Sequence, residues 1–85
     1  MFTITYSRVA TRTLRRIPAN AAATIREKIA ELAENPNAPN ANVQPLRGRD
    51  ELRLRFGDWR VIYRIDQDAE TIRVRLIRPR GSAYR

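Results

Sequence analysis

The chain has 85 residues and a formal charge of +8, from 17 Lys and Arg against 9 Asp and Glu. It contains neither cysteine nor histidine, which excludes disulfides, thiolate metal sites and the usual acid–base side chain of neutral pH. This length fits one small domain over residues 1–85, with a single core and marginal stability.

No apolar run approaches a membrane span. The first six residues, Met1 to Tyr6, are too few and too polar for a secretion signal, so a soluble cytoplasmic protein is expected. Every cation except Lys28 is arginine. Arginine grips phosphate through two parallel hydrogen bonds, so this bias points toward nucleic acid, although a GC-rich genome would also favour arginine codons.

Phe2, Ile4 and Tyr6 alternate with polar residues and predict a short strand. Ser7 is suited to cap a helix in which Val9, Ala10, Thr13, Leu14 and Ile17 recur at helical spacing, up to Pro18. Residues 19–34 predict a second helix, alanine-rich, with Ala22, Ile25, Ile29, Leu32 and Ala33 in one stripe. The Asn/Pro segment 35–42 is a loop, and Val43 to Leu46 is either a short irregular strand or an extended lead-in.

The second half alternates by twos. In Leu52–Phe56, Trp59–Ile65 and Ile72–Leu76, the residues Leu52, Leu54, Phe56, Val61, Tyr63, Ile65, Ile72, Val74 and Leu76 are expected on one face. Arg53, Arg55, Arg60, Arg64, Arg73 and Arg75 then share the other. Gly57-Asp58 reads as a two-residue hairpin turn and residues 66–70 as a second hairpin loop. Asp66, Asp68 and Glu70 crowd that loop, where a solvated turn is favoured over a cation site. The tail from Arg78, with Pro79 and Gly81, is expected to leave the sheet. The fold class is α+β: a small antiparallel sheet in the order β-α-α-β-β-β, with a two-helix hairpin on one face. A bare face of arginines without interleaved carboxylates calls for a polyanion.

This order, with Leu46-Arg47-Gly48, Leu52-Arg53-Leu54-Arg55, Gly57-Asp58-Trp59-Arg60-Val61-Ile62-Tyr63-Arg64-Ile65 and Arg80-Gly81-Ser82-Ala83-Tyr84-Arg85, resembles the RelE/ParE superfamily of bacterial type II toxins, the RelE branch above all. The resemblance implies an mRNA interferase: a ribosome-dependent endoribonuclease that inhibits translation, using the RNA's own 2′-OH as nucleophile. It implies Arg60, Arg80, Tyr84, Arg53 and Arg55 as catalytic residues, with Arg53, Arg55, Arg64, Arg73 and Arg75 binding RNA. The implied partners are a cognate antitoxin with an acidic or amphipathic segment, the ribosome and mRNA, without metal, cofactor or membrane. Two departures bear on the chemistry. Arginine stands at 53 and 55 where RelE-type sites often carry lysine, and Pro79 stands where many relatives carry histidine. Arginine cannot act as a general base. The alternatives are a ParE-like toxin that inhibits DNA gyrase and a degenerate toxin that only binds its antitoxin.

Overall fold

Ser7 joins the helical layer to the sheet. Its hydroxyl accepts from the Ala10 N–H at 3.0 Å, capping the first helix, and donates to the Arg75 carbonyl at 2.6 Å. Its own N–H donates to the Val74 carbonyl at 2.9 Å. The computed structural model describes residues 1–46 and 50–79. Its elements are β1 (Thr3–Tyr6), α1 (Arg8–Arg16), α2 (Ala19–Glu34), β2 (Val43–Pro45), β3 (Leu52–Phe56), β4 (Trp59–Asp66) and β5 (Thr71–Pro79). They form one sheet in the order β1-β5-β4-β3-β2. Val43–Pro45 is therefore a fifth strand. β1 runs parallel to β5, while the other pairs are antiparallel.

Both helices pack on the same face. The core takes Ala10 and Leu14 from α1, Ile25, Ile29, Leu32 and Ala33 from α2, and Leu54, Val61, Tyr63, Ile72, Val74 and Ile77 from the sheet. Trp59, Phe56, Leu52 and Ile65 are partly buried against its rim. Val9, expected in the stripe of the first helix, is instead 50% exposed, while its neighbour Ala10 is fully buried. Burial of the aliphatic side chains is worth about 1.5–3 kcal/mol each and is the main favourable term.

The sequence alternation fails at one point. Ile62 pairs with Leu76 and Tyr63 with Val74, so Arg75 is an extra residue opposite no partner: a β-bulge. Beyond it the strand changes phase. Ile77 enters the core in place of the expected Leu76, while Leu76 turns to the open face beside Ile62. Ile62 is 8% exposed but stands apart from the core cluster.

The β3–β4 hairpin closes through Gly57 at φ +52, a left-handed conformation that glycine adopts without steric cost. In the β4–β5 loop, the Asp66 carboxylate accepts from the Ala69 N–H at 3.0 Å, and Glu70 sits at φ 48.

Two consequences are measurable. Ser7→Ala removes a cap and strands a bulge carbonyl, and lowers stability by about 2 kcal/mol in urea unfolding. The Tyr63 hydroxyl is buried with no partner among the described residues, and burial pushes its pKa up to about 12 from 10.0. Because burial penalises the tyrosinate, stability is full below pH 10 with respect to this group and falls as pH rises from 10 through about 12, where the unfolded chain ionises first. Tyr63→Phe removes the unsatisfied group, raises stability by about 1 kcal/mol and abolishes the highest-pH step of the tyrosinate absorbance titration.

Candidate functional site

The helices leave one face of the sheet uncovered, and register rather than spacing decides what gathers there. Arg55 lies directly opposite Arg60, and Arg60 directly opposite Arg78, giving three guanidinium side chains in a row across β3, β4 and β5. The next row holds Gln44, Arg53, Ile62 and Leu76. On the far side of the bulge, Arg64 lies opposite Arg73, which pairs in turn with Thr5 of β1.

The six expected arginines do share this face, but they are not uniformly unneutralised. Glu51, just before β3, is almost fully buried and takes Arg75 side-on. Its Oε1 accepts from Arg75 Nη2 at 2.9 Å and its Oε2 from Arg75 Nε. The hydrogen bond with Glu51 raises the Arg75 pKa. Arg73 Nη2 donates to the Asp66 carboxylate at 3.1 Å. The Asp66 pKa is lowered, first by the Ala69 N–H and then by Arg73. The expectation of a face without carboxylates is thus corrected. The β3–β4 alternation shows no acid, but Glu51 reaches in from the preceding loop and Asp66 from the hairpin end.

The Glu51–Arg75 pair divides the face into two recesses. One, about 710 Å³, is bounded by Thr5, Asp50, Glu51, Arg64 and Arg73 and is mixed in charge. The other, about 380 Å³, is bounded by Leu46, Arg53, Arg60, Ile62, Leu76 and Arg78, with Arg75 at its border. Among the described residues, the lining of this second recess includes no acid. Arg53 Nη2 donates to the Gln44 side-chain oxygen at 3.3 Å. The Nε atoms of Arg53 and Arg60 are buried and meet no acceptor among the described residues. No carboxylate of those residues pairs with Arg55 or Arg60, so a cross-strand bridge from Asp58 to Arg60 is not formed. Like charges directly opposite on adjacent strands destabilise a sheet. The directly opposed Arg55 and Arg60 therefore favour a bound anion.

Of the expected site residues, Arg53, Arg55 and Arg60 come together near the β3–β4 turn. Arg64, Arg73 and Arg75 lie beyond the bulge beside acids. Arg80 and Tyr84 lie outside the described residues. The sequence reading missed Arg78: the tail was expected to leave the sheet there, but β5 runs on to Pro79 and sets Arg78 opposite Arg60. Its signal was the doublet Leu76-Ile77, two successive apolar residues that break a strict alternation.

A model of the ParE toxin of type II toxin–antitoxin systems, parDE, matches residues 4–84. The chain belongs to this family. Among solved structures, the toxin is similar to a chain of the RelBE2 toxin–antitoxin complex from Mycobacterium tuberculosis. The two are 26% identical with TM-score 0.80, over 93% of this chain and 98% of that one. It is equally similar to a chain of the archaeal RelE–RelB complex from Pyrococcus horikoshii OT3, at 26% identity and TM-score 0.80, over 96% and 98% of the two chains. The YoeB/ParE toxin from Agrobacterium tumefaciens shares the fold at 17% identity, with TM-score 0.77 over 94% and 100%. No curated protein matches. The chain is thus a toxin of the RelE/ParE superfamily, and its bare face is the cationic one.

Within this toxin, Glu51 is a built-in counterion. Arg75 keeps 45% of its side chain exposed, so the pair contributes less than a fully buried one. Glu51→Gln lowers stability by about 1 kcal/mol in urea unfolding. The same variant elutes from heparin at higher salt, because Arg75 is released to an external anion.

Proposed function

We propose that this toxin is a ribosome-dependent endoribonuclease that cuts mRNA and thereby arrests translation. The observation that carries this reading is the in-register row Arg55–Arg60–Arg78 beside Arg53, on the face left open by the helices. A phosphodiester under attack gains charge on its non-bridging oxygens. Fixed donors aimed at that charge usually give the largest catalytic contribution.

The 2′-oxygen of the RNA forms the new bond to phosphorus and the bond to the 5′-oxygen breaks, leaving a cyclic phosphate and a 5′-hydroxyl. Arg60, in the middle of the row, holds the scissile phosphate through its planar fork. Arg53 and Arg55 set the path of the backbone on either side. Arginine holds its proton at every relevant pH, so these three side chains act by charge and position. The 2′-OH proton leaves to water, and water supplies the proton for the leaving oxygen. By resemblance, Arg80 neutralises the charge on the leaving oxygen and Tyr84 stacks a base.

A cognate antitoxin is the regulatory partner, as in the toxin–antitoxin complexes that the chain resembles. An acidic or amphipathic antitoxin segment would satisfy the charges that RNA otherwise satisfies. No helix of the described residues is long and apolar enough to cross a membrane, and a cytoplasmic site of action accords with this reading.

A second reading, inhibition of DNA gyrase, is favoured by the ParE family match and by a site that has arginine where a proton-transferring lysine or histidine would serve. One experiment separates the two. Mapping of mRNA ends on ribosomes after brief induction gives breaks in the A site for the nuclease. A gyrase inhibitor gives intact mRNA and loss of supercoiling by purified protein. For the nuclease, Arg60→Ala lowers the cleavage rate by about 10²–10³-fold, with an unchanged circular dichroism spectrum. Full activity in that folded variant would refute the assignment.

A further inference from the structure

The recess between Arg53, Arg60 and Arg78 on the open face has a feature that phosphate binding alone does not use: an apolar floor. The bulge at Arg75 turns Leu76 to the open face directly opposite Ile62, and Leu46 closes one side. Arg53, Arg60 and Arg78 form the walls. A simple phosphate track needs no apolar floor, and a patch for an uncharged protein side chain needs no wall of guanidiniums. A nucleotide needs both, since its base seeks an apolar surface and guanidinium planes to lie against while its phosphate seeks charge. The Nε groups of Arg53 and Arg60 are out of water and without an acceptor on the described chain. A bound group with oxygen or ring-nitrogen acceptors that drew them out would supply what they lack.

We infer that this recess is a nucleobase subsite. One base lies over Ile62 and Leu76 while its phosphate reaches the Arg55–Arg60–Arg78 row. The volume of about 380 Å³ is within the range of small-ligand sites. The inference rests on the proposed RNA reading and adds to it a contact to the base as well as to the backbone. The aliphatic floor stacks any base and reads no hydrogen-bonding edge, so this contact is tolerant of sequence.

The test uses the whole protein and a tetra-adenylate with 2′-O-methyl groups, which cannot be cut, beside the same backbone stripped of its bases. Fluorescence anisotropy at low salt gives both affinities. Wild type binds the base-bearing strand about fivefold more tightly, the low end for base stacking. Leu76→Ser binds the bare backbone as wild type does and loses the preference. Leu76→Phe, which widens the floor, strengthens it. Circular dichroism confirms that both variants are folded.

The inference is overturned if stripping the bases changes nothing in wild type, if it costs Leu76→Ser as much as wild type, or if neither strand binds. It is also overturned if wild type ignores the bases while Leu76→Ser weakens binding of an acidic peptide carrying one leucine, which would give the floor to a protein side chain. Because the strands are not cleavable, the result does not depend on catalysis. The nuclease reading stands or falls separately on mRNA breaks with Arg60→Ala.

Discussion

A single extra residue in β5, anchored twice, sets the composition of both faces of the sheet. Ser7 satisfies the carbonyl of Arg75, and Glu51 satisfies its guanidinium. A bulge leaves one residue outside the ladder, and its polar groups need partners found elsewhere. Here the helix cap provides one and the loop before β3 the other. With the bulge in place, Ile77 reaches the core and Arg78 stands opposite Arg60. In an unbroken ladder, Arg78 would point at the helices and Leu76 would be buried. The cap of α1, the packing of the core and the arginine row are consequences of one local geometry.

The same anchor organises the charge. An open face this basic carries self-repulsion, which the fold relieves only in part. Asp66 neutralises Arg73 and Glu51 neutralises Arg75 at the bulge. Toward the β3–β4 turn, Arg55 and Arg60 face each other across strands without a carboxylate among the described residues. The repulsion is therefore concentrated where it serves binding, and the apolar burial beneath it offsets the cost. A lysine set would place similar charge there, but as compact points. The planar guanidiniums of this chain combine flat surfaces with paired donors, which suits an anion that carries an aromatic ring.

Much of this was legible in the chain, for local reasons. Ser7 as a cap, the apolar stripe of residues 19–34, the Gly57-Asp58 turn and the alternation through β3 and β4 are each written within a few residues. What escaped depends on contacts distant in sequence. The parallel pairing of β1 with β5 joins residues that share no local signal. The Glu51–Arg75 pair spans 24 residues, and nothing around Glu51 marks it as buried. The bulge left only the Leu76-Ile77 doublet, which reads equally as a strand end. Those long-range contacts are also what separates a uniformly basic face from one in which Arg73 and Arg75 have carboxylate partners.

The link between Ser7 and Arg75 closes a loop of 68 residues. Contacts so distant along the chain carry a large closure entropy and form late in folding. Neither the tie from Ser7 to the sheet nor the phase change in β5 can be completed before residues 71–79 have been synthesised and have emerged. Until then Arg78 has no fixed neighbour across the sheet, and the arginine row does not exist. A nascent chain therefore carries its arginines without the arrangement that gathers them, because the row is assembled only when β5 joins β4.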